Sequence, residues 1–123
     1  MRTIHLNLSE HPANVSPSIT GHSIGRWEGN TLIVDTVGFE PGFMNHTAQS
    51  GFRMHSDQLH VVERFEVDEG GRTLTRNYFF EDPLFMQGAY TGVDTQSLST
   101  EAYRPYDCEE LSGQNNRRIK GQE

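Results

Sequence analysis

Three side chains suited to proton transfer or charge stabilisation lie in two apolar stretches on either side of Gly70-Gly71. A Gly-Gly pair between such stretches predicts a tight β-hairpin, because glycine accepts the positive φ of primed turns. That register places Glu63 opposite Tyr78, and Arg76 diagonal to it, on an otherwise apolar face. A carboxylate on such a face must be paired or protonated. Two roles are therefore open to Glu63. It forms a buried ion pair with Arg76, or it acts as a general acid or base assisted by Tyr78.

A second titratable set surrounds the dipeptide Gly29-Asn30, which predicts another hairpin. With these two residues in the turn, one face carries Trp27 among small and apolar side chains. On the opposite face, isoleucine and valine alternate with three titratable residues, His22, Arg26 and Asp35. Such a mixed face is either solvated, with a diagonal pair between Arg26 and Asp35, or lines a cavity with polar groups at its edge.

The six histidines do not follow the spacing of a recognisable metal site, since HExxH, paired CxxC and His-x-His patterns are all absent. We therefore predict no metal and, because no phosphate-cradling loop is present, no cofactor. His55 is the histidine that we consider as an alternative general base. The single cysteine, Cys108, is flanked by Asp107 and Glu109, whose negative charges disfavour the reactive thiolate.

A β framework must position these residues. Apolar and polar residues alternate from Arg2 to Leu8, which predicts a strand, and a polar loop follows from Ser9 to Thr20. The two hairpins come next, separated by a long connection from Glu40 to Phe52. Late strands are predicted at Ala89–Ser99 and Ala102–Cys108. About seven short strands without an amphipathic helix indicate an all-β fold, either an antiparallel up-and-down barrel of the lipocalin type or a sandwich.

The connection from Glu40 to Phe52 is rich in large apolar residues, among them Phe43, Met44 and Phe52. A connection of this length and composition predicts a packed lid, which either fills the core or closes the end of a barrel. A barrel interior would hold an apolar or amphipathic small molecule. The side chains predicted to bind it are His22, Arg26, Trp27, Asp35, Phe43, Phe65, Arg76 and Phe80.

Length and charge restrict the partners. A chain of 123 residues is one domain, predicted as a β domain over residues 1–110 and a polar tail over residues 111–123. The 17 acidic and 10 basic residues give a net charge of −7, which opposes binding to nucleic acid and to anionic membranes. The first residues lack the apolar core of a signal peptide, so the chain as given is expected to be cytoplasmic.

Two motifs carry a resemblance to a known family. GHSIGRWEGNTLIVDTVGF, from Gly21 to Phe39, and HSDQLHVVERF, from His55 to Phe65, are followed by Glu81-Asp82-Pro83. Together they resemble the C-terminal region of a family of uncharacterised proteins from environmental proteobacteria and acidobacteria, whose members carry GHSxGRWEGDTLVVDTxGF and HSExLxVxERF. Longer relatives look exported. The resemblance implies no activity, but it implies that Trp27, Asp35, His55, Glu63 and Arg64 belong to a recurring pattern.

Three functions fit these residues. The first is a small barrel that binds an apolar or amphipathic molecule. The second is a hydrolase or isomerase that uses Glu63 or His55 as general acid or base, Tyr78 as a proton donor and Arg76 to stabilise negative charge. The third is an interaction module whose exposed sheet edge pairs with a partner or with a second copy of the chain, which would form a homodimer.

Overall fold

The computed structural model describes residues 1–47 and 51–101, with the backbone alone for residues 45–47 and 51–52. It confirms the all-β prediction, since the regular elements of the described residues are all strands. No helix long and apolar enough to cross a membrane occurs among these residues. The strands are β1 Ile4–His5, β2 His22–Glu28, β3 Thr31–Val37, β4 Gly42–Thr47, β5 Gly51–His55, β6 His60–Val67, β7 Thr73–Glu81 and β8 Ala89–Ser97.

The sheet is open and mixed. Six strands pair in the order β1-β2-β3-β6-β7-β8, while β4 and β5 form a separate two-stranded sheet. Among the described strands, β1 and β2 pair in parallel and the other pairs are antiparallel. No closed barrel is found in the described part of the chain, so the prediction of a closed antiparallel barrel is not met there. At one end of this sheet, β1 is only two residues long, which offers little backbone for a closing pair.

Both predicted hairpin registers are confirmed. Gly29 adopts a φ of 60° in the turn between β2 and β3, and Ile24 faces Asp35 across the pair. In the second hairpin Glu63 faces Tyr78 as predicted. These registers follow from local turn chemistry, which is why they could be read from the sequence.

Three other predictions need correction or fall outside the description. The N-terminal strand is shorter than expected, because only Ile4–His5 pair with β2. The connection from Glu40 to Phe52 contains β4 and part of β5, a hairpin of its own rather than an irregular lid. The predicted strand at Ala102–Cys108 and the tail at 111–123 lie outside the described residues.

The alternation of side chains gives the six-stranded sheet two faces with different contents. The Glu63 face carries Ser23, Gly25, Val34, Thr36, Val61, Glu63, Arg76, Tyr78 and Phe80. The Asp35 face carries His22, Ile24, Arg26, Ile33, Asp35, His60, Val62, Phe79 and Glu81. The apolar core lies on the Glu63 face, where Leu59, Phe80 and Met86 are buried and Phe39 and Met44 pack against them.

Asp82 fixes the end of β7 against the loop between β5 and β6. Its side chain is 1% exposed and accepts hydrogen bonds from the Ser56 amide at 2.6 Å, the Ser56 hydroxyl at 2.8 Å and the Leu84 amide at 3.0 Å. Burial would raise the pKa of Asp82, but the hydrogen bonds from Ser56 and Leu84 outweigh burial and hold the pKa below its usual range. The carboxylate therefore has a structural role.

Replacing the Asp82 carboxylate with an amide should destabilise the fold. Asp82→Asn places an NH2 group against backbone and hydroxyl donors, so we expect the free energy of unfolding to fall by about 2 to 3 kcal/mol. The lowered pKa of Asp82 means that its contribution is present above pH 3.8 and is lost as the pH falls through the folded pKa. Urea unfolding at pH 7 and at low pH measures both effects. Asp57→Asn, an exposed change in the same loop, is the control, and an equal loss there would contradict the assignment.

Candidate functional site

The structure divides the predicted site residues between the two faces of the sheet. Glu63, Phe65, Arg76, Tyr78, Phe80 and Trp27 lie on the Glu63 face, and Phe43 and His55 of the β4–β5 hairpin line a cleft against that face. His22, Arg26 and Asp35 lie on the Asp35 face. A single cavity lined by all of them is therefore excluded, because neighbouring positions of one strand point to opposite sides.

Glu63 is the centre of an ion cluster on its face. Its side chain is 3% exposed, and each carboxylate oxygen accepts a hydrogen bond from a different arginine, Arg2 at 2.5 Å and Arg76 at 3.0 Å. Arg76 also donates two hydrogen bonds to the Asp94 carboxylate. These bonds, and to a smaller extent the bond to Glu63, raise the pKa of Arg76. Arg2 further donates to Ser23 and to Thr36. This confirms the predicted contact between Glu63 and Arg76.

The two other residues predicted to act in catalysis, Tyr78 and His55, have contacts of their own. Tyr78 leans across Gly92 of β8, so closely that a Cβ at Gly92 would overlap the tyrosine ring and hydroxyl. His55 is buried, with its Nδ1 3.1 Å from the Ser56 carbonyl oxygen. It lines a cleft of about 300 Å³ with Glu63 and Phe43. Because both carboxylate oxygens of Glu63 accept hydrogen bonds from arginines, we assign Glu63 a structural role rather than that of a general base.

A row of hydrogen-bonded histidines and carboxylates crosses the Asp35 face. Asp35 lies at its centre, with one oxygen 2.8 Å from His11 Nε2 and the other 2.8 Å from His60 Nε2. His11 reaches this face from the loop that follows β1, and its Nδ1 lies 2.8 Å from His22 Nδ1. At the far ends, the His60 ring is 3.3 Å from Glu81, and the His5 ring stacks on His22 with centroids 4.8 Å apart.

The network sets the charge states of its members. Burial would raise the pKa of Asp35, but the hydrogen bonds from His60 and His11 outweigh burial and lower it. Burial would lower the pKa of His60, but its hydrogen bonds with Asp35 and Glu81 outweigh burial and raise it. The pKa of His22 is shifted in the direction opposite to that of His60, because burial and the nearby His11 and His5 all lower it. A proton added to the network therefore favours His60 over His22.

An open groove of about 690 Å³ lies beside this network. Its apolar lining comes from Leu6, Leu8, Ile24 and Ile33, and its polar lining includes His11, Asp35, Arg26 and Glu10. The loop segment 6–11 forms one wall, and β2 and β3 form the other. His11 holds this loop against the sheet, because it is hydrogen-bonded to side chains of both strands.

Three predicted binding residues are placed differently from the sequence-based expectation. Arg26 pairs with Glu28, at 2.9 Å, so the predicted pair between Arg26 and Asp35 is wrong. Trp27 and Phe43 are 61% and 69% exposed, so neither is enclosed by a binding cavity in the described part of the chain.

Among the cluster residues that were missed from the sequence are His60, His5, Arg2 and His11. His60 is diagonal to Asp35 only once β3 pairs with β6, a long-range register that no turn specifies. His5 lies in a two-residue strand whose parallel pairing has no sequence signal. Arg2 and His11 come from irregular segments and reach their partners through tertiary folding alone. Only the alternation around His5 could have suggested which side of a strand its ring occupies.

Within the described residues, no group of three or more His, Cys, Asp or Glu side chains is arranged to hold a metal ion.

No protein-family model matches the chain, and no curated protein and no solved structure shows a significant match to it. The resemblance noted from the two sequence motifs therefore stays a prediction, and the function must be argued from the geometry.

Neutralising Glu63 should cost stability. Glu63→Gln leaves Arg2 and Arg76 without their shared carboxylate, and we expect the free energy of unfolding to fall by about 2 to 4 kcal/mol. Values near the lower limit are favoured, because the arginine side chains are 32% and 36% exposed and remain partly solvated. Chemical denaturation measures the loss, with the exposed Glu69→Gln as control. Wild-type stability in Glu63→Gln would show that the cluster has no structural role.

Removing the charge of Asp35 should lower the pKa of His60. In Asp35→Asn, His60 loses its closer carboxylate, so an NMR titration of the His60 ring should give a lower pKa than in the wild type. The sign for stability follows. The raised pKa of His60 contributes stability that is fully present below pH 6.5 and is lost as the pH rises through the folded pKa.

Asp35→Asn should therefore be more destabilising at pH 6 than at pH 9. A penalty that does not change between these pH values, measured by urea unfolding, would show that His60 and Asp35 are not coupled.

Proposed function

We propose that this protein binds a small amphipathic molecule in the groove on the Asp35 face. The observation that carries the proposal is the composition of the groove, in which the apolar Ile24 and Ile33 and the polar His11 and Asp35 line one space. Its volume of about 690 Å³ is in the usual range for small-molecule sites. An apolar body would lie on the isoleucines, and a polar end group would reach the histidine and carboxylate.

The groove replaces the barrel interior as the binding site in this proposal. A lipocalin-type barrel would bind inside a closed sheet, whereas this groove lies between the sheet and the loop segment 6–11. Leu6 and Leu8 on that segment are 58% and 37% exposed. A ligand covering them would remove apolar surface from water, which stabilises binding by roughly 25 cal/mol for each Å². The exposure of these leucines supports a ligand at this position.

Catalysis at Glu63 is less well supported. A general base needs a lone pair directed at its substrate, and both Glu63 oxygens accept hydrogen bonds from arginines. His55 has an open cleft beside it, and its Nδ1–H donates to the Ser56 carbonyl, which leaves Nε2 as the unprotonated ring nitrogen. Proton transfer through Glu63 would compete with the hydrogen bonds that both of its oxygens accept from arginines. We therefore favour binding over a hydrolase or isomerase function.

Homodimer formation through β8 is a second candidate function. Among the described residues, β8 pairs with β7 alone, and its nine residues contain neither lysine nor proline, the residues that protect exposed sheet edges. Val93 in this strand is 62% exposed, and apolar side chains of this kind are buried when sheet edges pair. Sedimentation analysis tests the candidate, and a monomer at high concentration would remove it.

The groove proposal predicts that a charge on its apolar wall weakens binding. Leu8→Glu should raise the dissociation constant of anilinonaphthalene sulfonate, an amphipathic fluorescent probe, at least tenfold, because the variant removes apolar contact and adds negative charge. Leu84→Glu is the matched control, since Leu84 is 61% exposed and lies in the turn between β7 and β8. Fluorescence titration gives both constants. Absence of binding to the wild type, or an equal loss in Leu84→Glu, would contradict the groove as the site.

A further inference from the structure

We propose that His11 and His22 form a binding site for a divalent transition-metal ion, with Asp35 holding one of the two ligands in position. The site would lie between His11, the last residue of the loop segment 6–11, and His22, the first residue of β2, whose Nδ1 atoms are 2.8 Å apart. It does not require that the groove binds a small molecule. The absence of a metal motif in the sequence is no obstacle, because His11 and His22 come together through tertiary folding.

The hydrogen bond from His11 to Asp35 determines which nitrogen of His11 can bind a metal. A carboxylate accepts hydrogen bonds, so the His11 Nε2 that lies 2.8 Å from Asp35 carries the proton. The neutral ring then has an unprotonated Nδ1 with its lone pair directed at His22. Histidines that bind metal ions commonly donate their other N–H to a carboxylate, which fixes the tautomer and increases ligand basicity. Asp35 and His11 have this arrangement.

His22 can supply the second nitrogen without losing a proton to solvent. In the metal-free protein the hydrogen bond requires one N–H between the two Nδ1 atoms, and His22 donates it. When a metal ion binds, that proton moves to His22 Nε2, which has no hydrogen-bond partner among the described residues.

The separation of the two nitrogens is close to that required. Imidazole nitrogens bind Zn²⁺ at about 2.0 to 2.1 Å, so two tetrahedral ligands are roughly 3.3 Å apart. The observed 2.8 Å must therefore increase by a small rotation of either ring. Two protein ligands leave the remaining positions to water, consistent with the absence of a three-ligand group in the described part of the chain. Imidazole ligands favour Zn²⁺, Cu²⁺ and Ni²⁺ over Mg²⁺ or Ca²⁺.

Isothermal titration calorimetry of the tag-free protein with Zn²⁺ tests the site. We expect saturable one-to-one binding that is reversed by a chelator, and no binding of Mg²⁺. His11→Asn and His22→Asn should each weaken Zn²⁺ binding at least tenfold. Asp35→Asn should weaken it by a factor of about 10 to 100, the usual effect of losing the carboxylate behind a ligand histidine. His55→Asn, on the opposite side of the sheet, is the control and should stay within twofold of the wild type.

NMR of the wild-type protein keeps the test decisive if a variant does not fold. The ring signals of His11 and His22 should shift on addition of Zn²⁺, while those of His55 stay unchanged. The proposal is overturned if the wild type shows no saturable binding, if His11→Asn binds as tightly as the wild type, or if Zn²⁺ moves other histidine signals and leaves these two in place. A hydrogen-bonded pair without affinity for metal would then be the correct description.

Discussion

The alternation of side chains along β3 is the constraint on which the rest of this structure depends. Val34 and Thr36 point to one side of the sheet and are 0% and 1% exposed, while Asp35 between them points to the other side. Because β3 is central, both polar clusters of the protein are built against it. A shift of one residue in its pairing would exchange the two faces, removing Asp35 from the histidines and exposing Val34.

The two clusters use charge differently. On the Glu63 face both carboxylate oxygens of the buried Glu63 accept hydrogen bonds from arginines, which compensate its negative charge. The bond from Arg2 also holds the N-terminal segment against the sheet. On the Asp35 face the carboxylate is partly exposed, and its histidine partners border a groove. A compensated buried cluster specifies structure, whereas a partly open row of imidazoles can exchange protons or bind a ligand. This contrast is why we assign binding to the Asp35 face.

Prediction from the sequence succeeded where the interaction is local. Glu63, Tyr78 and Arg76 were placed correctly relative to one another because Gly70-Gly71 specifies one hairpin register. The same reasoning failed for Arg26, which pairs with Glu28 two residues along its own strand face instead of with Asp35. Asp35 is occupied by two histidines that a single hairpin cannot show. The assumption of one interior also failed, since it joined residues from both faces of an open sheet.

The sequence by itself determined the all-β character of the chain and the registers of two hairpins, because side-chain alternation and positive-φ glycines act over a few neighbouring residues. Only the tertiary structure decided the pairing of β3 with β6, the parallel contact of β1 with β2, and the positions of Arg2 and His11. These contacts join residues far apart in the chain, and their energies depend on which faces are buried together. No local pattern carries that information, so the functional clusters became visible only in the folded chain.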